Sequence, residues 1–447
     1  MNLLLTGGTV VRSISPVEVE VADVAVVDGR IASAGVTPSG ATTIDCSGCI
    51  VIPGNVCAHT HLYSTLARGM PYHMAPPGNF VEILRRVWWR LDRALDMPSI
   101  RASALAGGLE ALMAGTTTLV DHHASPWAVD GSLDVIADAL EEIGLRSVLC
   151  YETSDRDGPE IAAAGLAENA RFLDDNAHTP RPLTRGMVGA HASFTLETDT
   201  LLACTELSRD RAAGIHVHLS EDAADELDAL SRFGVRVAER LDEAGALDAR
   251  SLLAHGVHLD PGQAERVRAT GATVVHNARS NLNNGVGRAP IGALGDCVAL
   301  GTDGIDGDLF EEGRTAFFRR REESLDTPAT WVLDTLSTSA GVARRAFEEP
   351  LLGRLVTDAP ADLVVLRYPS ITPMDADTLA AHWLFGLRSG QVRDVIVAGE
   401  PVVRDGRPTR IDPDAVAACA RDEAGALWRR LDDIDIHAFD PSEARLG

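Results

Sequence analysis

The sequence predicts an α/β barrel joined to a small β domain that both ends of the chain build, and three observations carry this reading. Between about residues 55 and 340, short apolar runs alternate with alanine- and leucine-rich helical stretches, the pattern of parallel βαβ units. β-type runs fill about the first fifty residues and return after residue 350, so the β domain is split. The 447 residues exceed one ordinary domain, and α/β barrels reach about 250 residues as a single unit.

Taken in order, Leu3 to Leu5, the near-alternating Val17 to Val27 and Ile50 to Ile52 read as strands. Gly7-Gly8, Asp28-Gly29 and Pro53-Gly54 punctuate them. Helices are expected over Ser99 to Ala114, Ser132 to Ile143 and Ala223 to Ala244. Strands return at Asp362 to Leu366, Val392 to Val397 and Pro401 to Val403, with Gly399-Glu400 as a hairpin-like turn. A last amphipathic helix, Pro413 to Leu431, gathers Ala417, Ala420, Ala424 and Leu427 on one side for packing against the body. The expected domains are residues 1–54 with 350–412 (β domain), 55–349 (barrel) and 413–447 (terminal helix and tail).

Composition narrows the function. Hydrophobic residues make up 45% with mean hydropathy near zero, and no run approaches the roughly 20 apolar residues of a membrane span. The first eight residues lack a basic start, so no signal peptide is expected and the cytoplasm is the expected compartment. A net charge of −25 argues against nucleic acid and membrane surfaces as partners and suits a small-molecule substrate. Seven scattered cysteines read as reduced thiols, and Cys46 and Cys49, a lone C-x-x-C, read as strand and turn residues. All 40 basic residues are arginines, which excludes a Schiff-base lysine, a phosphate-loop lysine and a carbamylated lysine bridging two metals.

Chemistry gathers at strand ends. Ala58-His59-Thr60-His61 follows an apolar run and a Pro-Gly turn, and residues two apart in an extended segment share a face. An isolated H-x-H is commonly a pair of satisfied turn histidines. In Ile215-His216-Val217-His218-Leu219-Ser220-Glu221, however, the apolar residues take one side and both histidines the other. Ser251 to His255, Ala272 to His276 and Val298 to Asp303 are further apolar runs that end in His or Asp. One such histidine is ordinarily structural. A succession of them points to a site, because parallel barrel strands converge their C-terminal ends on one face. Imidazoles and a carboxylate there make a nest for Zn2+ or a similar divalent ion with an open position for water.

The order H-x-H, H-x-x-E, His, T-D-G resembles the amidohydrolase superfamily, in the mononuclear aminohydrolase branch that holds cytosine, guanine and S-adenosylhomocysteine deaminases and the triazine hydrolases. The resemblance implies a distorted (β/α)8 TIM barrel plus a small β-sandwich domain formed by both chain ends. It implies one divalent ion per chain, Zn2+ with Fe2+ as the alternative, held by His59, His61, His218 and Asp303. Glu221 matches the acid/base carboxylate, His255 the second catalytic histidine and His191 a substrate-contacting histidine, while Asp303 also accepts a proton from the attacking water. The stretches Trp88 to Asp96, Val120 to Pro126, His276 to Asn281 and Thr302 to Ile305 are similar to a subgroup of aminohydrolases associated with selenium metabolism. Ser64 departs from guanine-type and 8-oxoguanine-type deaminases, which have glutamine there.

Other residues keep two readings. Glu221 is a catalytic acid or a helix cap in an acidic run; Trp88 and Trp89 stack a heteroaromatic ring or pack a helix. His122 and His123 are pocket walls or core, His216 supports the ligands from one pleat deeper, and His276 with Asn277 and Asn281 shapes the pocket or its loop. The expected reaction is hydrolytic deamination of an amino-substituted purine, pterin or pyrimidine. The alternatives are cyclic-amide opening or another displacement at the same metal, and a non-catalytic binding protein on this scaffold. The family tendency implies a homo-oligomer, a dimer or larger.

Overall fold

The computed structural model describes residues 1–441; positions 442–447 of the expected tail lie outside the described residues. Eight strand positions follow one another in chain order around a barrel. They are Asn55–Thr60, Thr116–His123, Arg146–Tyr151, Thr184–Gly186 continuing as Val188–Ala192, Ile215–Leu219, Leu252–His255, Thr273–His276 and Val298–Leu300. Every pairing is parallel. The ladder divides into a four-stranded and a five-stranded sheet, and the bridges Thr153 to Ala190 and Thr60 to Asp303 join them into a distorted ring.

Strands covered on both faces are buried at every position, as in Ile215–Leu219. Val188, Val217, Leu253, Val274 and Val298 share a core with residues of the surrounding helices, such as Leu201, Leu241 and Val267. Val56, Val120, Val148, Leu252, Val275 and Ala299 form another cluster with Ala343 and Phe347 of the helix Thr330–Phe347. Val56, Val120, Leu252 and Val275 each precede the polar end of their strand, so apolar packing lies beneath those converging ends.

Three expectations shift. The helix over Ala223 to Ala244 is two helices, Ala223–Phe233 and Val237–Glu243, because Gly234 adopts φ +73° and caps the first. Gly7-Gly8 does not end the first strand, which runs Leu3–Ile14; the pair makes a bulge at a register shift between Leu5 and Gly8. The β domain is one continuous sheet of nine strands where a sandwich is expected. Its two faces serve different cores: Leu363 and Val365 close on Leu3, Val26 and Ile396, while Val364 and Leu366 turn to the barrel. Antiparallel pairing of Cys49–Pro53 with Leu363–Arg367 stitches the two chain ends together.

The terminal helix spans Pro413–Asp432, with Leu427 and Ala424 buried and Ala417 and Ala420 half-buried. Among the described residues, no helix is long and apolar enough to cross a membrane.

Candidate metal centre and active site

His59 and His61 leave the first barrel strand, His218 lies in the fifth, and Asp303 follows the eighth. Hydrogen bonds fix which ring nitrogen is free. His61 Nδ1 donates to the His122 carbonyl at 2.6 Å, and His218 Nδ1 donates to the His191 carbonyl at 2.8 Å. Both Nε2 atoms therefore carry lone pairs, yet they face each other at 3.1 Å. Two lone pairs cannot bond each other, and positive charge between them, a proton on His61 or a metal ion, resolves the conflict. Asp303 Oδ1 stands 3.2 Å from His61 Nε2 and 3.5 Å from His59 Nε2, and that His59 atom is buried without a hydrogen-bond partner among the described residues.

Burial pushes His59 down to about 3. Burial opposes charge on His61 too, but the Asp303 carboxylate outweighs it and lifts that imidazole to about 9. In spite of burial, His59 and His61 hold Asp303 well below the usual carboxylate range. The cluster demands positive charge, and its three imidazole nitrogens with one carboxylate oxygen are a donor set that fits a divalent metal. His216 Nε2 meets His59 Nδ1 at 2.9 Å and holds the ring from behind.

Glu221 Oε2 lies 3.5 Å from His255 Nε2. Burial, and then the charge of Asp303, raises Glu221 well above the usual range, so it keeps its proton. The cap of the next helix is Asp222, whose side chain accepts from Ala224 N–H, so Glu221 is free of that duty. His255 Nδ1 donates to Asn281 Oδ1 at 2.8 Å and burial keeps the ring neutral, which leaves Nε2 as an acceptor toward Glu221. Ser220, His255 and Asp303 take left-handed φ values of 47°, 76° and 53°. Such conformations cost about 1 to 3 kcal/mol each and cluster where function requires them.

A cavity of about 300 Å³ opens on these groups, with His61, His218, Glu221 and Asp303 in its wall beside Glu152, His191, Tyr63 and Ser64. Phe80, Leu84, Trp88, Trp89 and Phe194 add an apolar and aromatic side. Trp88 and Trp89 line the cavity from a helical segment.

The other expected contacts fall elsewhere. His122 is wholly buried between Glu152 Oε2 at 3.2 Å and the His216 carbonyl at 3.1 Å. His123 bonds Ser125 Oγ at 2.9 Å, beside the rings of Tyr63 and Tyr151, away from the cavity wall. His276 and Asn281 border a separate small crevice with Arg319, and Asn277 is buried against Gly301. Asn281, in the helix Ala278–Asn284, meets the site through its bond to His255.

Glu152 escaped the sequence reading although Tyr151-Glu152 ends an apolar strand like the others. Burial opposes its charge, but His191, Arg156 and His122 hold it well below the usual range. Arg156 bonds it at 2.7 Å and pairs also with Asp92 and Asp157, forming a buried ionic floor. His191 Nδ1 donates to Thr195 Oγ1 at 2.6 Å, while its Nε2 stands 3.7 Å from Glu152 Oε1.

A model of the amidohydrolase family matches residues 50–402. The chain belongs to the amidohydrolase family. This amidohydrolase is 32% identical over 425 residues to the 5-methylthioadenosine/S-adenosylhomocysteine deaminase of Desulforudis audaxviator, covering 91% of this chain and 94% of that one. It is 30% identical over 422 residues to the 5'-deoxyadenosine deaminase of Methanosarcina mazei, with 91% and 94% covered. Among solved structures, an adenosine deaminase from Xanthomonas campestris with bound zinc is similar with a TM-score of 0.82 and 25% identity, over 97% of this chain and 99% of that one.

Proposed function

We propose that this amidohydrolase removes the amino group of an amino-substituted N-heterocycle, with an adenosine-derived nucleoside as the leading substrate class. One observation carries the reaction type. A carboxyl, Glu221, whose burial favours its protonated form, and an imidazole, His255, whose burial favours its neutral form, stand 3.5 Å apart beside the ligand cluster, with Glu221 in the wall of an aromatic cavity. The names of the relatives support the substrate class.

His59, His61, His218 and Asp303 would hold the metal, and we propose zinc, one ion per chain. When bound, such an ion makes water a competent nucleophile at neutral pH. Glu221 gives its proton to the ring nitrogen next to the amidine carbon as water oxygen adds there, and that carbon becomes tetrahedral. His255 Nε2 accepts a hydrogen bond from the attacking water and orients it. Asp303 takes the proton that water loses and returns it to the exocyclic nitrogen, which departs as ammonia while the hydroxyl left on the carbon gives its proton back to Glu221 and becomes the carbonyl. Water is consumed, ammonia is released and the ring stays intact. Assembly as a dimer or larger belongs to the same proposal, and sedimentation gives the mass.

The test is ammonia release by the zinc-loaded full chain from 5'-deoxyadenosine, 5'-methylthioadenosine, adenosine, guanine, cytosine and a pterin, run in heavy-oxygen water. Turnover with one label on the carbon that lost nitrogen supports the reading. Ring opening without free ammonia, or displacement of a group other than an amine, assigns the metal centre a different hydrolysis.

A further inference from the structure

The aromatic side of the cavity rests on a segment far away in sequence. Phe80, Leu84, Trp88 and Trp89 come from one helical stretch, Phe80–Ile83, Leu84–Trp88 and Trp89–Ala94, whose middle part is a wide π-type turn. Wide turns of this kind are rare and recur at functional sites, because the extra residue re-aims the side chains after it. After the terminal helix, residues 434–440 run back across this stretch. Arg90 Nε donates to the Ile434 carbonyl at 2.7 Å, and Arg85 Nε donates to the His437 carbonyl at 2.9 Å. His437 N–H returns a bond to the Arg85 carbonyl at 3.1 Å, and Arg85 pairs with Asp440.

The rings meet at Trp89. His437, 1% exposed, lies 5.1 Å from the Trp89 ring and Phe439 lies 5.8 Å from it, both edge-on. Trp89 also touches the site: His191 is at 6.1 Å and Phe194 at 6.3 Å, with the Arg156 guanidinium 5.5 Å over the ring. His437 Nε2 is tied at 3.4 Å to Asp157, the carboxylate that also pairs with Arg93 and Arg156.

We propose that His437 and Phe439 are positioning residues for substrate binding, holding Trp89 against His191 and with it the aromatic wall of the cavity in place. The claim rests on reading this cavity as the substrate pocket. Each edge-on aromatic contact shifts an equilibrium by about two- to tenfold, so losing Phe439 opens the wall without unfolding the barrel. The ligand cluster touches neither residue, so metal binding and the chemical step are expected to survive the loss.

The experiment uses the zinc-loaded full chain, its Phe439→Ala and His437→Ala variants, and Phe439→Leu as the conservative control. Hydrogen exchange is followed by mass spectrometry over Phe80–Ala94 and over the barrel strand Ile215–Leu219. We expect exchange across Phe80–Ala94 to quicken about tenfold in both alanine variants, with the strand and the zinc content unchanged and Phe439→Leu close to the parent. With 5'-deoxyadenosine as substrate, KM rises about tenfold while kcat stays within about twofold. Unchanged exchange over Phe80–Ala94 overturns the proposal. So does equal acceleration in the barrel strand, which would make the segment a general stabiliser, and so does a fall confined to kcat. If the parent chain leaves 5'-deoxyadenosine intact, that substrate assignment fails, while the exchange pattern still decides the positioning claim.

Discussion

Asn281→Ala isolates the control of His255 from the metal. In the structure Asn281 Oδ1 receives the His255 Nδ1 proton at 2.8 Å, and this bond keeps Nε2 free as an acceptor toward Glu221. Both residues are buried, His255 at 0% exposure, so water does not replace the lost acceptor without cost. A buried N–H left unpaired costs about 1 to 3 kcal/mol, and the ring then gains by moving its proton to Nε2, the wrong tautomer for orienting water. Carried into the transition state, that penalty lowers kcat/KM by about 5- to 150-fold. The assay is ammonia release with zinc content measured on the same sample, in the parent, Asn281→Ala, His255→Ala and the double variant. With His255 gone there is nothing for Asn281 to orient, so the second substitution should change the rate by less than about twofold. Full additivity of the two losses would refute the reasoning, as would a loss in Asn281→Ala that tracks lost zinc.

Glu221→Gln should keep metal and substrate affinity while turnover falls about 10²- to 10⁴-fold. Near-parental activity in the glutamine variant would remove Glu221 from catalysis. Because burial and Asp303 hold the Glu221 proton above the usual carboxylate range, turnover should persist where ordinary carboxylates are ionised and fall as pH rises through that raised pKa. A pH–rate profile without an alkaline fall contradicts this. Gly301→Ala places a Cβ 2.8 Å from the His59 Cβ and 2.5 Å from Asn277 Oδ1, so zinc content should drop with the fold retained, as elemental analysis and circular dichroism would show. Glu152→Ala takes one of three carboxylates from Arg156, which keeps Asp92 and Asp157, and removes the carboxylate that His122 meets. A loss of about 1 to 3 kcal/mol in unfolding free energy is expected, and an unchanged denaturant midpoint would argue that Glu152 carries no stability in the ionic floor.

The convergence of the residues expected as ligands was legible because they sit where a strand's alternation stops, and that signal is local. His59, His61, His218 and Asp303 each close an apolar run, and the chain places them on one rim. Of their partners, His216 was legible, since its alternation with His218 sets it one pleat deeper on the same face, and it meets His59 there. Asn281 was not, because it acquires its role from a hydrogen bond to His255 made from the helix Ala278–Asn284, a contact with no trace in residue type or spacing. Glu152 sat within reach, since its strand ends like the others, but a carboxylate after a tyrosine lacks the companion histidine that drew notice elsewhere. Gly234 was visible inside the helical pattern, and its left-handed conformation splits the helix. The bulge at Gly7-Gly8 was hidden because a glycine pair ends a strand as readily as it bends one. His437 and Phe439 carry no local signal, because their partner Trp89 is hundreds of residues away.

The stitching of the two chain ends bears on how the protein is born. The strand Cys49–Pro53 runs through Gly54 directly into the strand that carries His59 and His61, and its partner Leu363–Arg367 is made much later. A Cβ at Gly54 would stand 2.1 Å from Thr117 Oγ1, so the junction leaves no slack between the sheet and the barrel. Asp303 too arrives late. A ribosome therefore releases two of the proposed ligands long before it supplies the others, and the closing contacts span most of the chain, a slow and costly search. A metal held by that set would load only at the end of synthesis, and until then the young chain would carry bare histidines and an unpaired strand edge, the period in which a chaperone has most to protect.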